Sequence, residues 1–304
     1  MRKLIWILCL LPLFIQSQTI GSIGGVDWSE IASVSTVNQA DIASVSTVDA
    51  PASASYLLDT YTGAGGAWSL RKLRSAYAGA AIRIERASDN AQTDIGFSGE
   101  DLNVSAINSH CTGTSCYVKI IYDQEANGYD LAISTSGAII YQSGSVVTLG
   151  GKPAVIMPTG NEATGTVEHS DFIGSSQFYH ILVGSPESAG ALGFLVGGDG
   201  TFSGTGTAFL NGAFTVVSFS TSPTYADDTQ YILEALFQNS STFVSLYADN
   251  SLLTNDGGEF VAAYSPSGST TASIIGDYWQ ETIIWPINQA SNRAAIYSNV
   301  AAYW

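Results

Sequence analysis

Cys111-Thr112-Gly113-Thr114-Ser115-Cys116-Tyr117-Val118-Lys119-Ile120-Ile121-Tyr122-Asp123-Gln124 is the stretch on which the fold turns. A short β-rich run, Tyr117–Tyr122, stands between a small polar loop and a turn. Asp123 suits an Asx-type turn, and Gly128 supplies a positive φ a few residues on. The four residues between Cys111 and Cys116 let the two thiols close a tight-loop disulfide in an oxidising compartment, or stay reduced in a loop.

The same kind of run recurs along the chain at short intervals, separated by Gly, Ser, Asn and Asp. It is read at Ala138–Gln142, Ala154–Met157, Phe178–Gly184, Leu192–Gly197, Ala213–Ser220, Gln230–Gln238, Thr242–Tyr247, Glu259–Tyr264, Ala272–Ile275 and Trp279–Trp285. Several alternate polar and apolar residues, as in Phe243-Val244-Ser245-Leu246-Tyr247. Such spacing predicts an all-β antiparallel sandwich or barrel rather than βαβ units. Two short helices are expected, one after Glu100-Asp101 and one over Asn288–Ala301.

Composition agrees. The 304 residues are 45% hydrophobic and 11% aromatic, which excludes a disordered chain, and three Cys exclude a disulfide scaffold. Ten Lys+Arg against 26 Asp+Glu give a net charge of −16, which repels phosphate and excludes electrostatic nucleic-acid binding. From Lys119 onward 3 bases face 16 acids, so −13 of that charge lies there and favours a neutral partner such as a sugar, or a cation. Among the early bases, Arg71, Arg74, Arg83 and Arg86 are expected to pair with Glu85, Asp89 and Asp94 on a solvated face.

Three segments precede or form the body. Residues 1–18 carry Arg2 and Lys3 before an apolar run, Leu4–Ile15, which reads as a secretory signal or an apolar anchor and is too short to span a bilayer. Residues 19–55 contain Ile31-Ala32-Ser33-Val34-Ser35-Thr36-Val37 and its repeat at Ile42–Val48, and read as an extended tether. Residues 56–304 form the sandwich.

A family resemblance rests on particular residues. Leu57-Leu58-Asp59, Trp68-Ser69-Leu70-Arg71-Lys72-Leu73, Ile82-Arg83-Ile84-Glu85-Arg86 and Ser88-Asp89-Asn90 resemble the opening of the arabinofuranosidase B-type catalytic domain, glycoside hydrolase family 54. Cys111–Cys116, Tyr122-Asp123-Gln124 and Asn127-Gly128 resemble its paired Cys and its Tyr-Asp-Gln…Asn-Gly turn. A similar opening occurs in phage virion proteins, and Trp279–Trp285 with Asn292-Arg293 resembles the close of concanavalin-A-like jelly-roll modules on virions. The resemblance implies a two-sheet antiparallel, concanavalin-A-like jelly-roll sandwich and a Cys111–Cys116 bond. It also implies that a hydrolase would place its carboxylates at Asp199, in the stretch before Phe202-Ser203-Gly204, and at Asp277, before the closing strand.

Both positions depart from the family pattern: Asp199 is shorter than the family's Glu, and the loop before Asp277 is shortened. The reading this favours is a non-catalytic jelly-roll module displayed on a virion or cell surface, alone or in an oligomer, that holds glycan or decorates an assembly. Trp68, Tyr129, Tyr278 and Trp279 are its candidate sugar-stacking rings. The alternative is a secreted α-L-arabinofuranosidase. Either places the chain outside the cell or on a virion. No cofactor is expected. Asn255-Asp256-Gly257-Gly258-Glu259 and Asp227-Asp228 offer oxygen ligands to Ca²⁺, and turn chemistry accounts for them equally. His110, His169 and His180 lack metal-ligand spacing, and His180 sits within a strand.

Overall fold

A computed structural model describes residues 22–23, 26–27, 56–125, 127–133, 137–157, 163–168, 178–185, 191–196, 206–211, 228–237, 244–252, 269–275 and 278–304. The chain divides into two units, Met1–Ser55 and Tyr56–Trp304. In the first, Ser22–Ile23 pairs antiparallel with Val26–Asp27. The apolar run and the repeat lie outside the described residues.

The second unit is a two-layer β-sandwich. One layer runs from Val244–Ala248 through Tyr231–Phe237, Phe178–Ser185 and Tyr278–Trp285 to Gly66–Ser69, every neighbour antiparallel. The other begins with Gln92–Ile95, Ile82–Arg86, Cys116–Ile121 and Leu131–Ile133. It continues through Ala163–Glu168, Ser269–Ile275 and Ala191–Val196. Val155–Ile156 bonds to both Ile139–Gln142 and Tyr278–Trp285 and so stitches one layer to the other. The antiparallel sandwich matches the reading from strand spacing, with one departure: Ala191–Val196 and Gly206–Asn211 pair in parallel. The expected strands Ala213–Ser220 and Glu259–Tyr264 fall outside the described residues.

Alternation decides what each strand buries. Ile82 and Ile84, Val118 and Ile121, and Leu131 and Ile133 project from one layer onto Leu182, Leu233, Ala235 and Ile284 of the other, forming the inner core. Tyr179, Ile181 and Val183 point the opposite way, with Ile283 and Trp285. That outer face is covered by a four-residue helix, Leu57–Thr60, and by the helix Arg293–Tyr303, whose Ile296 and Val300 are buried against it. A third helix, Val104–Cys111, starts where Asn103 Oδ1 accepts the Ala106 N–H at 3.0 Å. It ends on a bond between Cys111 and Cys116, whose Cα atoms stand 5.8 Å apart. The tight loop therefore closes as a disulfide, tying the helix end to the strand that follows.

No helix among the described residues is long and apolar enough to cross a membrane.

Candidate functional site

The Tyr122-Asp123-Gln124 signature folds as a staple. Asp123 Oδ1 accepts the Glu125 N–H, as an Asx turn requires, and also the Ala67 N–H, both at 3.0 Å. Its Oδ2 accepts the Asn127 N–H. Burial pushes the Asp123 pKa up, against the pull of those three backbone donors. Gln124 accepts the Leu73 N–H and donates to the carbonyls of Ser69 and Arg71. Asn127 Nδ2 reaches Gly65 O, and Gly128 takes a φ of +84°. Together these bonds hold the whole segment 65–73 against the sandwich. Asp123 is structural.

Two of the four candidate stacking rings are corrected. Trp68 and Trp279 are both 0% exposed, within the inner core, and present no face to a sugar. Trp279 lies on a strand flanked by Phe178–Ser185 and Gly66–Ser69, Trp68 on the edge strand Gly66–Ser69 itself, and the register turns both rings into the space between the layers. Trp68 Nε1 donates to Tyr129 O and Trp279 Nε1 to Thr282 Oγ1. Tyr129 and Tyr278 are half-buried. Asp199 and Asp277 lie outside the described residues.

The arginine face is corrected in part. Arg83 pairs with Asp94 and Arg86 with Asp89 near the surface, as expected. Arg74 instead pairs with Glu125. Arg71 is buried. Its Nε and Nη2 grip Glu281 at 2.7 and 3.0 Å, its Nη1 reaches Asn299, and Tyr303 covers it. Burial works against the charged guanidinium, yet Glu281 more than offsets it and the Arg71 pKa stands above its ordinary value. Glu281 also accepts from Ser69 Oγ and Trp304 Nε1. A second buried carboxylate, Glu234, accepts from Tyr179 Oη and Arg293 Nη1. Both carboxylates thus anchor the C-terminal helix and are spent as ligands of arginine.

Sequence reasoning missed one polar assembly at the opening of the strand Tyr278–Trp285. Val183 pairs with Glu281 but Gly184 with Trp279, so Gln280 is an extra residue, a β-bulge. Its Nε2 donates to Leu149 O at 3.0 Å and Pro153 O at 3.1 Å, and its Oε1 accepts from Gln230 Nε2. The bulge thereby pins the hairpin formed by Thr148–Leu149 and Lys152–Pro153 onto the outer face. Tyr278 packs on Val147, Leu149 and Ala154 beside it, and Ser185 lies directly across from Tyr278. The polar run Gln280-Glu281-Thr282 in an otherwise apolar strand was the available signal, but the partners of Gln280 lie far along the chain. Among the described residues no group of three or more His, Cys, Asp or Glu can hold a metal ion.

Residues 59–157 match the family model "Alpha-L-arabinofuranosidase B, catalytic". The probable α-L-arabinofuranosidase B of Aspergillus terreus is 37% identical over 94 residues, 24% of this chain and 19% of that protein. The α-L-arabinofuranosidase B of Aspergillus kawachii is 33% identical over 135 residues, 38% of this chain and 26% of that protein. The alignments thus span about a quarter or less of these relatives' own length. A solved family 54 α-L-arabinofuranosidase, soaked with a cyclic sulfate inhibitor, superimposes at a TM-score of 0.47 and 20% identity, covering 82% of this chain and 65% of that one. The family model begins at Asp59 and encloses the Cys111–Cys116 loop and the Asp123–Gln124 staple. Of the two readings of the sequence, the family match over residues 59–157 and these curated relatives favour the hydrolase over the non-catalytic module.

Proposed function

We propose that this protein is a secreted α-L-arabinofuranosidase, a glycoside hydrolase that releases arabinofuranosyl groups from arabinose-containing polysaccharide. The observation that carries the reading is the family match over residues 59–157, within which the Asp123–Gln124 staple organises the strand Gly66–Ser69 and the segment after it. A disulfide between Cys111 and Cys116 fits the oxidising compartment that secretion reaches.

Retaining hydrolysis needs two carboxyl groups about 5–5.5 Å apart, one attacking the anomeric carbon while the other protonates the leaving oxygen. Glu234 and Glu281 are committed to Arg293 and Arg71 and supply neither role. We assign the roles to Asp199 as nucleophile and Asp277 as acid/base. Neutral polysaccharide is the partner, and no cofactor takes part.

The test is release of nitrophenol from 4-nitrophenyl α-L-arabinofuranoside by folded, disulfide-intact protein. Asp199→Asn and Asp277→Asn are expected to reduce kcat to background with the fold intact by circular dichroism. Wild-type protein that releases no nitrophenol overturns the hydrolase reading. Activity that survives both substitutions overturns the assignment of the two carboxylates.

A further inference from the structure

Two stretches of the chain read Asn-x-Ser, Asn103-Val104-Ser105 and Asn239-Ser240-Ser241, and neither has proline in the middle. That is the acceptor pattern for N-linked glycan, a bulky and solubilising group that secreted chains carry on their surface loops. Asn239 lies outside the described residues. Asn103 stands where a small hairpin, Phe97–Ser98 with Asp101–Leu102, hands over to the helix Val104–Cys111.

The two ends of the Asn103 amide have separate fates. Oδ1 accepts the Ala106 N–H at 3.0 Å and caps the helix. Nδ2 has no hydrogen-bond partner among the described residues, and it is not one of their buried unpartnered polar atoms, so water reaches it. By contrast, Asn127 Nδ2 is committed to Gly65 O and Asn292 Nδ2 to Gln289 Oε1. The backbone at this point is fixed, because the Asn103 N–H donates to Gly96 O at 3.0 Å. Ser105 is exposed and shares the solvent side of the helix with Asn108 and Ser109, opposite the buried Ile107 and Cys111. The acceptor amide and the hydroxyl two residues on are therefore both at the surface. A sugar on Nδ2 leaves the carbonyl oxygen in place, so the cap and a glycan coexist.

We propose that Asn103 is an N-glycosylation site. The anomeric carbon of a lipid-diphosphate-linked oligosaccharide bonds to Nδ2 as its bond to the diphosphate oxygen breaks; Nδ2 gives up one proton and the lipid diphosphate departs. The attached glycan screens the solvent side of the helix. The site rests on the secretion part of the reading above and not on the hydrolysis.

The full chain is expressed in a fungal host, once on its own N-terminus and once behind a host secretion leader. The protein is treated with peptide-N-glycosidase in heavy-oxygen water, which turns a glycosylated Asn into a labelled Asp that peptide mass spectrometry reads site by site. Hydrolysis of the nitrophenyl arabinofuranoside is measured on the same protein. The Asn103 peptide is expected to carry the label. Ser105→Ala removes the acceptor hydroxyl and spares the cap, and Asn103→Asp keeps a capping oxygen without the amide. Both variants are expected to lose the label at this position and to match the Tm of deglycosylated wild type. An unlabelled Asn103 peptide in the leader-bearing protein, secreted or retained, overturns the site, and so does a label that survives Ser105→Ala. A label that appears only behind the added leader upholds the site and overturns the secretion reading. A label without hydrolysis upholds the site and overturns the hydrolase reading, and hydrolysis without a label does the reverse.

Discussion

Replacing Glu281 by Gln tests the buried charge layer beneath the C-terminal helix most directly. The side chain is 0% exposed and accepts from Ser69 Oγ at 2.7 Å, from Arg71 Nε and Nη2, and from Trp304 Nε1 at 3.2 Å. The amide has nearly the same shape but no charge, so the substitution isolates the electrostatic part. Arg71 is then left 1% exposed, with Glu100 at 3.5 Å as its nearest remaining carboxylate. Removing one partner of a buried pair costs about 3–5 kcal/mol. For a domain of the size of Tyr56–Trp304 each kcal/mol lowers Tm by about 2–4 °C, so a loss near 4 kcal/mol lowers it by about 8–16 °C. Urea unfolding followed by tryptophan fluorescence measures the loss. The double variant Arg71→Met/Glu281→Leu recovers most of it, because an apolar pair of similar volume needs no desolvated charge. A loss under about 1 kcal/mol in Glu281→Gln, or a double variant no better than the single one, refutes the account of this pair as a coupled, desolvated unit.

Three further outcomes are expected. Converting Cys111 and Cys116 to Ser lowers stability by about 2 kcal/mol, the small value that closing so short a loop allows, and unfolding with and without reductant measures it. His180 is held neutral by burial, its pKa lowered to about 3, so the unfolded chain binds a proton that the fold refuses. Stability should therefore fall by about 2 kcal/mol between pH 7 and pH 5, and His180→Gln should flatten that slope in unfolding titrations. Asp123→Ala strips the acceptor from the amides of Ala67, Glu125 and Asn127 and should cost about 3 kcal/mol, with faster hydrogen exchange at Ala67 as the local signature; unchanged exchange there counts against the staple.

Strand legibility followed a simple rule. Phe178–Ser185, Tyr231–Phe237 and Tyr278–Trp285 are long β-rich runs bounded by turn residues, and each was expected within a residue or two of its ends. Gly66–Ser69 and Leu131–Ile133 are short, and glycine or alanine takes positions where a larger apolar residue would announce a strand. They exist because long neighbours offer them a ladder. Residue type misled where the chain gave no partner. Arg71 sits among bases that are half-exposed, and only Glu281, 210 residues away, draws it into the interior. Trp68 and Trp279 read as display or as core until the register of their strands turns both rings between the layers.

What the amino-acid sequence determined by itself was local and chemical. Alternation and turn residues defined an antiparallel β-sandwich or barrel, the Cys spacing permitted one tight loop, Asp123 and Gly128 specified their turn, and the acid excess disfavoured anionic partners. Each depends on residues close in the chain or on simple sums over it. The tertiary structure decided which charges are buried, which aromatic rings keep a face, and that Ser185, Tyr278, Gln230 and Gln280 share one end of the outer face. Those outcomes depend on register across strands remote in sequence, where a one-residue bulge at Gln280 changes which side chains meet.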